Sequence, residues 1–191
     1  MTVAASLLRQ ARLGRGLTQA RLAALARRPQ PEVGRIESSG AGANVVTLDR
    51  LVRSAGLRLA VLPTDRAPVA EHAVEVREFL RRGDTRSAWR EVVQLADDLA
   101  AEHGAERVAL AVTPAAATGD ARFDALIAGV VELRLVEEGL PLPRWLAGSF
   151  EALDEPWVVA PHVSADEVRD ETPEPLRRRN VLVHGADLVS V

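Results

Sequence analysis

Two prolines set two residues apart, Pro29 and Pro31, interrupt the stretch GLTQARLAALARRPQPEVGRIE (16–37) and constrain the start of this chain more than any other feature. Proline lacks an amide hydrogen and has a fixed φ, so it ends one helix yet is tolerated in the first turn of the next. Ahead of the pair, Thr18 can cap a helix over 19–26 that turns Leu22 and Leu25 inward. Behind it, Pro31 falls in the first turn of a helix over 30–38 with Val33 and Ile36 on one face. The pattern predicts two short helices meeting at a tight corner.

The flanks extend this arrangement. Ala4, Leu7, Leu8 and Ala11 recur at helical spacing, so 3–14 reads as an amphipathic helix closed by Gly14 and Gly16. After the SSGAGAN loop, Thr47 can cap a helix over 48–55 with Leu48, Leu51 and Val52 inward and Gly56 just past its end. The alternating LRLAVL (57–62) then reads as a short strand. Residues 63–70, with two prolines and little apolar content, read as a linker. Helices are expected over 71–82, 85–103 and 120–138, whereas RVALAV within 105–112 suits either a strand or a helix. The expected fold is mainly α: an N-terminal helix-turn-helix domain (1–62) with one short strand, then a mostly helical domain (71–191) with one or two short strands.

Charge divides at the same place. The first 62 residues hold ten Arg against Glu32, Glu37 and Asp49, while the rest holds fourteen Arg against twenty-four acids, and the chain contains no Lys. A basic block followed by an acidic one points to two surfaces with different partners. The chain has no Cys, which excludes disulfides and thiol catalysis and fits a reducing compartment, so the expected location is cytoplasmic. The apolar runs are short and interrupted by Arg or Pro, and neither a membrane span nor a secretory signal is expected.

The register of LLRQAR, GLTQARLA, VGRIE and TLDRLVRSAGLRL over residues 7–59 resembles the XRE (lambda repressor and Cro-like) helix-turn-helix family. The resemblance implies duplex operator DNA as a partner, with the helix after the corner lying in the major groove and the one before it crossing the backbone. It implies a phosphate contact for Gln19 and places Gln30, Glu32 and Arg35 on the side of the recognition helix that meets bases and phosphates. Where the family usually has Gly-Val-Ser at the turn, this chain has Arg27, Arg28 and Pro29; the two arginines add sequence-independent phosphate binding. Glu37 is expected to pair with Arg9 or Arg12. Some relatives dimerise through a strand in the place of 57–62, which implies an antiparallel pairing of that segment with its own copy, from Leu57 through Leu62.

The second half has no pattern for catalysis, a metal or a cofactor. His72, His103, His162 and His184 are scattered without a helical partner, and GAGAN lacks the strand and Lys that a phosphate loop needs. Gly119-Asp120, Trp145, Pro156-Trp157 and the arginines 177–179 followed by VLV resemble the C-terminal part of actinobacterial XRE-type antitoxins found beside nucleotidyltransferase-like toxins. That resemblance implies a toxin as partner. The candidate contact is the acidic stretch of Glu151, Asp154, Glu155, Asp166, Glu167, Asp170, Glu171 and Glu174. The competing expectation is a stand-alone XRE-type repressor whose second half senses a ligand or only dimerises. An enclosed apolar cavity would favour the sensor, and an exposed groove or acidic strip the antitoxin.

Overall fold

The computed structural model describes residues 3–147, 152–159 and 164–189. It is mainly helical, and the chain divides into two compact units, Met1–Leu62 and Pro63–Val191.

The first unit contains α1 (Val3–Gly14), α2 (Gln19–Ala26), α3 (Gln30–Ser39) and α4 (Val45–Ser54). Leu8, Leu22, Ala23, Val33, Ile36, Leu51 and Ala55 form its core. The proline corner has the expected form. Thr18 accepts the Arg21 amide at 3.1 Å to start α2, Pro29 (φ −63°, ψ 135°) is the N-cap of α3, and Pro31 stands in its first turn. Two details differ. Leu25 is exposed, because α2 turns Leu22, Ala23 and Ala26 inward instead. The cap of α4 is Asn44, whose side-chain Oδ1 accepts the Thr47 amide at 2.8 Å, so the helix starts earlier than the Thr47 cap implied.

The expected strand at 57–62 is absent: these residues lie outside any helix or strand. The Leu57 amide is spent on Val52 O, closing α4 at Gly56, and Val61 is 99% exposed. Alternation by itself makes no ladder. A strand needs an edge to pair with, and among the described residues of the first unit there is no strand to supply one.

The second unit is built around α8 (Ala121–Val136). All residues from Ala125 to Glu132 are buried, so the helix is covered around its whole circumference rather than along one stripe. Packed on it are α5 (Val69–Arg81), α6 (Thr85–Ala101), α7 (Gly104–Val112) and α10 (Glu174–Arg177). The ambiguous 105–112 segment is thus a helix, burying Leu110 and Ala111. The short strands β1 (Trp157–Val158) and β2 (Val181–Leu182) pair in parallel, with Trp157 opposite Val181, and α9 (Ala165–Arg169) packs on both. Of residues 63–70, read as a linker, Val69 and Ala70 open α5 and the preceding segment is tied to α6: Thr64 donates to Glu102 at 2.6 Å, and Arg66 and the Ala67 amide both donate to Asp98.

The covering of α8 buries charge as well as carbon. Glu132 meets Arg178 and Arg179, while Arg134 donates to Ala96 O and Leu188 O and pairs with Glu137 at its rim. Buried charges are tolerated when paired and hydrogen-bonded. Among the described residues no helix is long and apolar enough to cross a membrane.

Candidate nucleic-acid interface

The corner between α2 and α3 closes through a left-handed residue. Arg27 sits at φ 53°, ψ 47°, donating its amide to Ala24 O, and the Arg28 amide reaches Ala23 O at 2.9 Å. This closure normally favours glycine, which has no Cβ to crowd. Pro29 follows in extended geometry and launches α3.

Behind the exposed face of α3 runs a polar relay. Glu37 is buried, with its side chain 4% exposed, and accepts Arg12 Nε at 2.7 Å and Nη2 at 2.9 Å. Arg12 also donates to Leu17 O at 2.8 Å, holding the entry to α2. The second Glu37 oxygen accepts Gln19 Nε2 at 2.9 Å, and Gln19 Oε1 in turn accepts Gln30 Nε2 at 3.0 Å. Burial pushes the Glu37 carboxyl up, but the hydrogen bonds from Arg12 and Gln19 outweigh it, and the group ends below the usual carboxylate range. The same bond to Glu37 raises Arg12.

An ionised carboxylate can only accept. The Gln19 amide must therefore turn its NH2 inward and its carbonyl toward Gln30, and Gln30 must spend one N–H on it. The Gln30 Oε1 and second N–H remain available, on an exposed residue. Gly34 leaves this amide pair uncovered, since a Cβ there would stand 3.5 Å from Gln19 Oε1 and 3.8 Å from Gln30 Nε2.

The other candidates divide. Arg28 and Glu32 pair at 3.3 Å one turn apart, so Glu32 is engaged by a neighbouring cation, and the Arg28 Nε is buried without an acceptor. Arg27 and Arg35 are exposed, and neither is within ion-pair distance of a described carboxylate. The structure thus brings together Gln19 with Gln30, and Arg28 with Glu32. Sequence reasoning found the Arg12–Glu37 pair among its two options but missed the Gln19 bond to Glu37. No local signal marks that bond, since Gln19 and Glu37 stand on different helices and the direction of an amide is set by its partner.

In the second unit, Glu151 and His162 lie outside the described residues. Asp154 and Glu155 are exposed just before β1. Asp166 and Glu167 open α9, where Glu167 closes a capping box with Ser164; hydrogen bonds from the Ser164 backbone and hydroxyl hold its carboxyl below the usual range. Glu171 pairs with His184 at 2.8 Å. Asp170 and Glu174 are exposed and, like Asp154, Glu155 and Asp166, have no described cation within ion-pair distance. His103 stands 3.6 Å from Glu138. His72 is buried with Nδ1 2.7 Å from Glu91 and Nε2 3.2 Å from Asp98.

Two depressions open on this unit. One of about 260 Å³ is lined by Phe79, Ser87, Arg90, Glu91 and Gln94. The other, of about 380 Å³, is lined by Leu80, Arg81, Thr85, Thr118, Gly119 and Asp120. Both are open to solvent and mixed in polarity. In comparisons with known proteins, no family model, no curated protein and no solved structure matches the chain.

Proposed function

We propose that this protein is an antitoxin-type transcriptional regulator: residues 1–62 bind operator DNA as an XRE-type helix-turn-helix, and the second unit neutralises a cognate toxin of the nucleotidyltransferase-like kind. The observation that carries the DNA reading is the relay from Arg12 through Glu37 and Gln19 to Gln30, which sets the polarity of an exposed amide on α3. With α3 in the major groove, the free carbonyl and N–H of Gln30 match the N6–H donor and N7 acceptor of adenine. Arg35, whose fork suits the O6 and N7 acceptors of guanine, is the second reader. Arg27 and Arg28 hold phosphates, and Gln19 lies where a phosphate contact is expected, which fixes register without reading sequence. Glu32, engaged by Arg28, restrains that arginine more than it reads a base.

Selecting duplexes from a random pool with the full chain tests this directly. Gln30→Ala should relax preference at an adenine and Arg35→Ala at a guanine, each costing about 1–3 kcal/mol on the selected site. If either variant lowers affinity for all duplexes alike, that residue is a phosphate contact. Two-fold pairing of 57–62 between copies would set two recognition helices about 34 Å apart, as a palindromic site requires. Sedimentation showing a monomer at micromolar concentration removes that part of the reading.

The toxin reading is supported by the exposed acids Asp154, Glu155, Asp166, Asp170 and Glu174, together with two depressions that are open to solvent and mixed in polarity. Such a surface suits a protein better than a small ligand. Because β2 and α10 pack on α8, deleting the C-terminal stretch would damage the fold. Asp166→Asn/Asp170→Asn/Glu174→Gln keeps it. Co-expressed with the product of the adjacent reading frame, this variant should lose neutralisation; full protection by it would exclude the strip.

A further inference from the structure

Within the acidic unit, the turn between α5 and α6 carries a local excess of arginine. Residues 77–90 carry five arginines, Arg77, Arg81, Arg82, Arg86 and Arg90, against Glu78 and Asp84. They surround the tip of the α5–α6 hairpin. Elsewhere in the unit many arginines are engaged by the protein's own acceptors: Arg107 and Arg134 on backbone carbonyls, Arg178 and Arg179 on Glu132, Arg66 on Asp98. At the tip, Glu78 takes Arg81 and Ser87 Oγ accepts from Arg90. Arg82 and Arg86 are exposed, and neither is within ion-pair distance of a described carboxylate.

The tip is rigidly built. The Gly83 amide donates to Leu80 O and the Asp84 amide to Phe79 O, both at 3.0 Å, closing α5 with Gly83 at φ 74°. Asp84 then caps α6 by accepting the Ser87 amide at 2.9 Å. Its carboxylate is committed to that cap, and hydrogen bonds from Ser87 hold it below the usual range. Nothing lies within 4 Å of where a Gly83 Cβ would stand, so an extended chain can approach the turn closely between Arg82 and Arg86.

We propose that this tip is a second contact for the phosphate backbone of duplex DNA. The inference rests on the DNA-binding reading of residues 1–62. Arginine forks pair bidentately with phosphate, and the hairpin presents them from a preorganised turn that needs no ordering on contact. Once one unit holds the duplex, a weak backbone contact from the other becomes intramolecular and gains from effective concentration. An acidic protein is the other kind of partner such a patch could meet, and the test separates the two.

The full chain is titrated with a mixed-sequence duplex over a salt series. Arg82→Ala/Arg86→Ala is compared with Arg169→Ala/Arg177→Ala, which removes the same charge from another part of the unit. The tip variant should lower the slope of log K against log salt by about 1.8, since each phosphate contact contributes about 0.9. The control should leave the slope unchanged. Equal shifts in both variants would reduce the effect to net charge and overturn the proposal, and an unaltered slope in the tip variant overturns it while leaving the operator reading intact. No binding by the wild type overturns both. Loss of a co-expressed partner by the tip variant with an unaltered salt slope reassigns the patch to protein contact.

Discussion

At Arg27 a cationic side chain occupies a left-handed backbone position, which costs an L-residue about 1–2 kcal/mol relative to glycine. Arg27→Gly should raise the stability of the first unit by about 1 kcal/mol in urea unfolding, part of the relief being offset by a freer unfolded chain. The same change should weaken binding to all duplexes, because it removes a guanidinium beside the recognition helix. A variant no more stable than wild type would show that the corner is unstrained. Glu37 makes a pH prediction. Its carboxyl is held below its unfolded value, so its contribution to stability is complete above the ordinary glutamate range and is lost as pH falls through the lowered folded value. Glu37→Gln leaves Arg12 without its anion and should cost about 3 kcal/mol at neutral pH. That gap to wild type should narrow as pH falls below the ordinary glutamate range and through the lowered folded value, followed by far-UV circular dichroism in urea. A gap that stays constant would mean the carboxylate's charge is not what stabilises the corner. The Arg12 pairing was within reach of the sequence, since helical spacing limits what a mid-helix glutamate can meet. The Gln19 bond was not, because an amide's direction is set by its partner.

Among the elements, α8 and α10 pack tightly at Gly129. A Cβ there would fall 2.5 Å from Leu176 Cδ2 and 3.3 Å from the Leu176 Cα. The side-chain carbon can turn aside; the backbone carbon cannot without shifting α10. Gly129→Ala should therefore destabilise the second unit by about 1–3 kcal/mol as overpacking does, despite alanine's better helix propensity. Leu176→Ala in the same background should recover part of the loss, read as urea midpoints by tryptophan fluorescence. If Gly129→Ala is stabilising, the two helices are not in rigid contact there. Element boundaries were legible where the signal is local: the proline corner, the Thr18 cap and Gly56 after α4. They were not legible where two local answers compete. Asn44 and Thr47 can both cap, and the exposed Val45 and Val46 let the helix begin at the first. RVALAV suits a buried strand or a buried helix equally until its neighbours are known.

For the whole molecule, the two cores share no residue: one gathers around Leu22 and Ile36, the other around α8. The three tryptophans, Trp89, Trp145 and Trp157, all belong to the second unit. Leu22→Ala should remove about 2–5 kcal/mol from the first unit, shifting the circular dichroism transition while leaving the fluorescence transition where it was. Coincident shifts in both signals would mean that the units unfold as one. Sequence by itself determined the helical class, the corner and the basic-to-acidic change near the division between the units, because periodicity, capping, proline geometry and charge are properties of short stretches. Only the tertiary structure decided that Glu132, Arg134 and Arg179 are interior, that Glu37 aims Gln19 at Gln30, and that 57–62 is no strand within one chain. Each of these depends on a partner distant in sequence, and neither a charge nor an alternating stretch carries any local mark of what will stand opposite it.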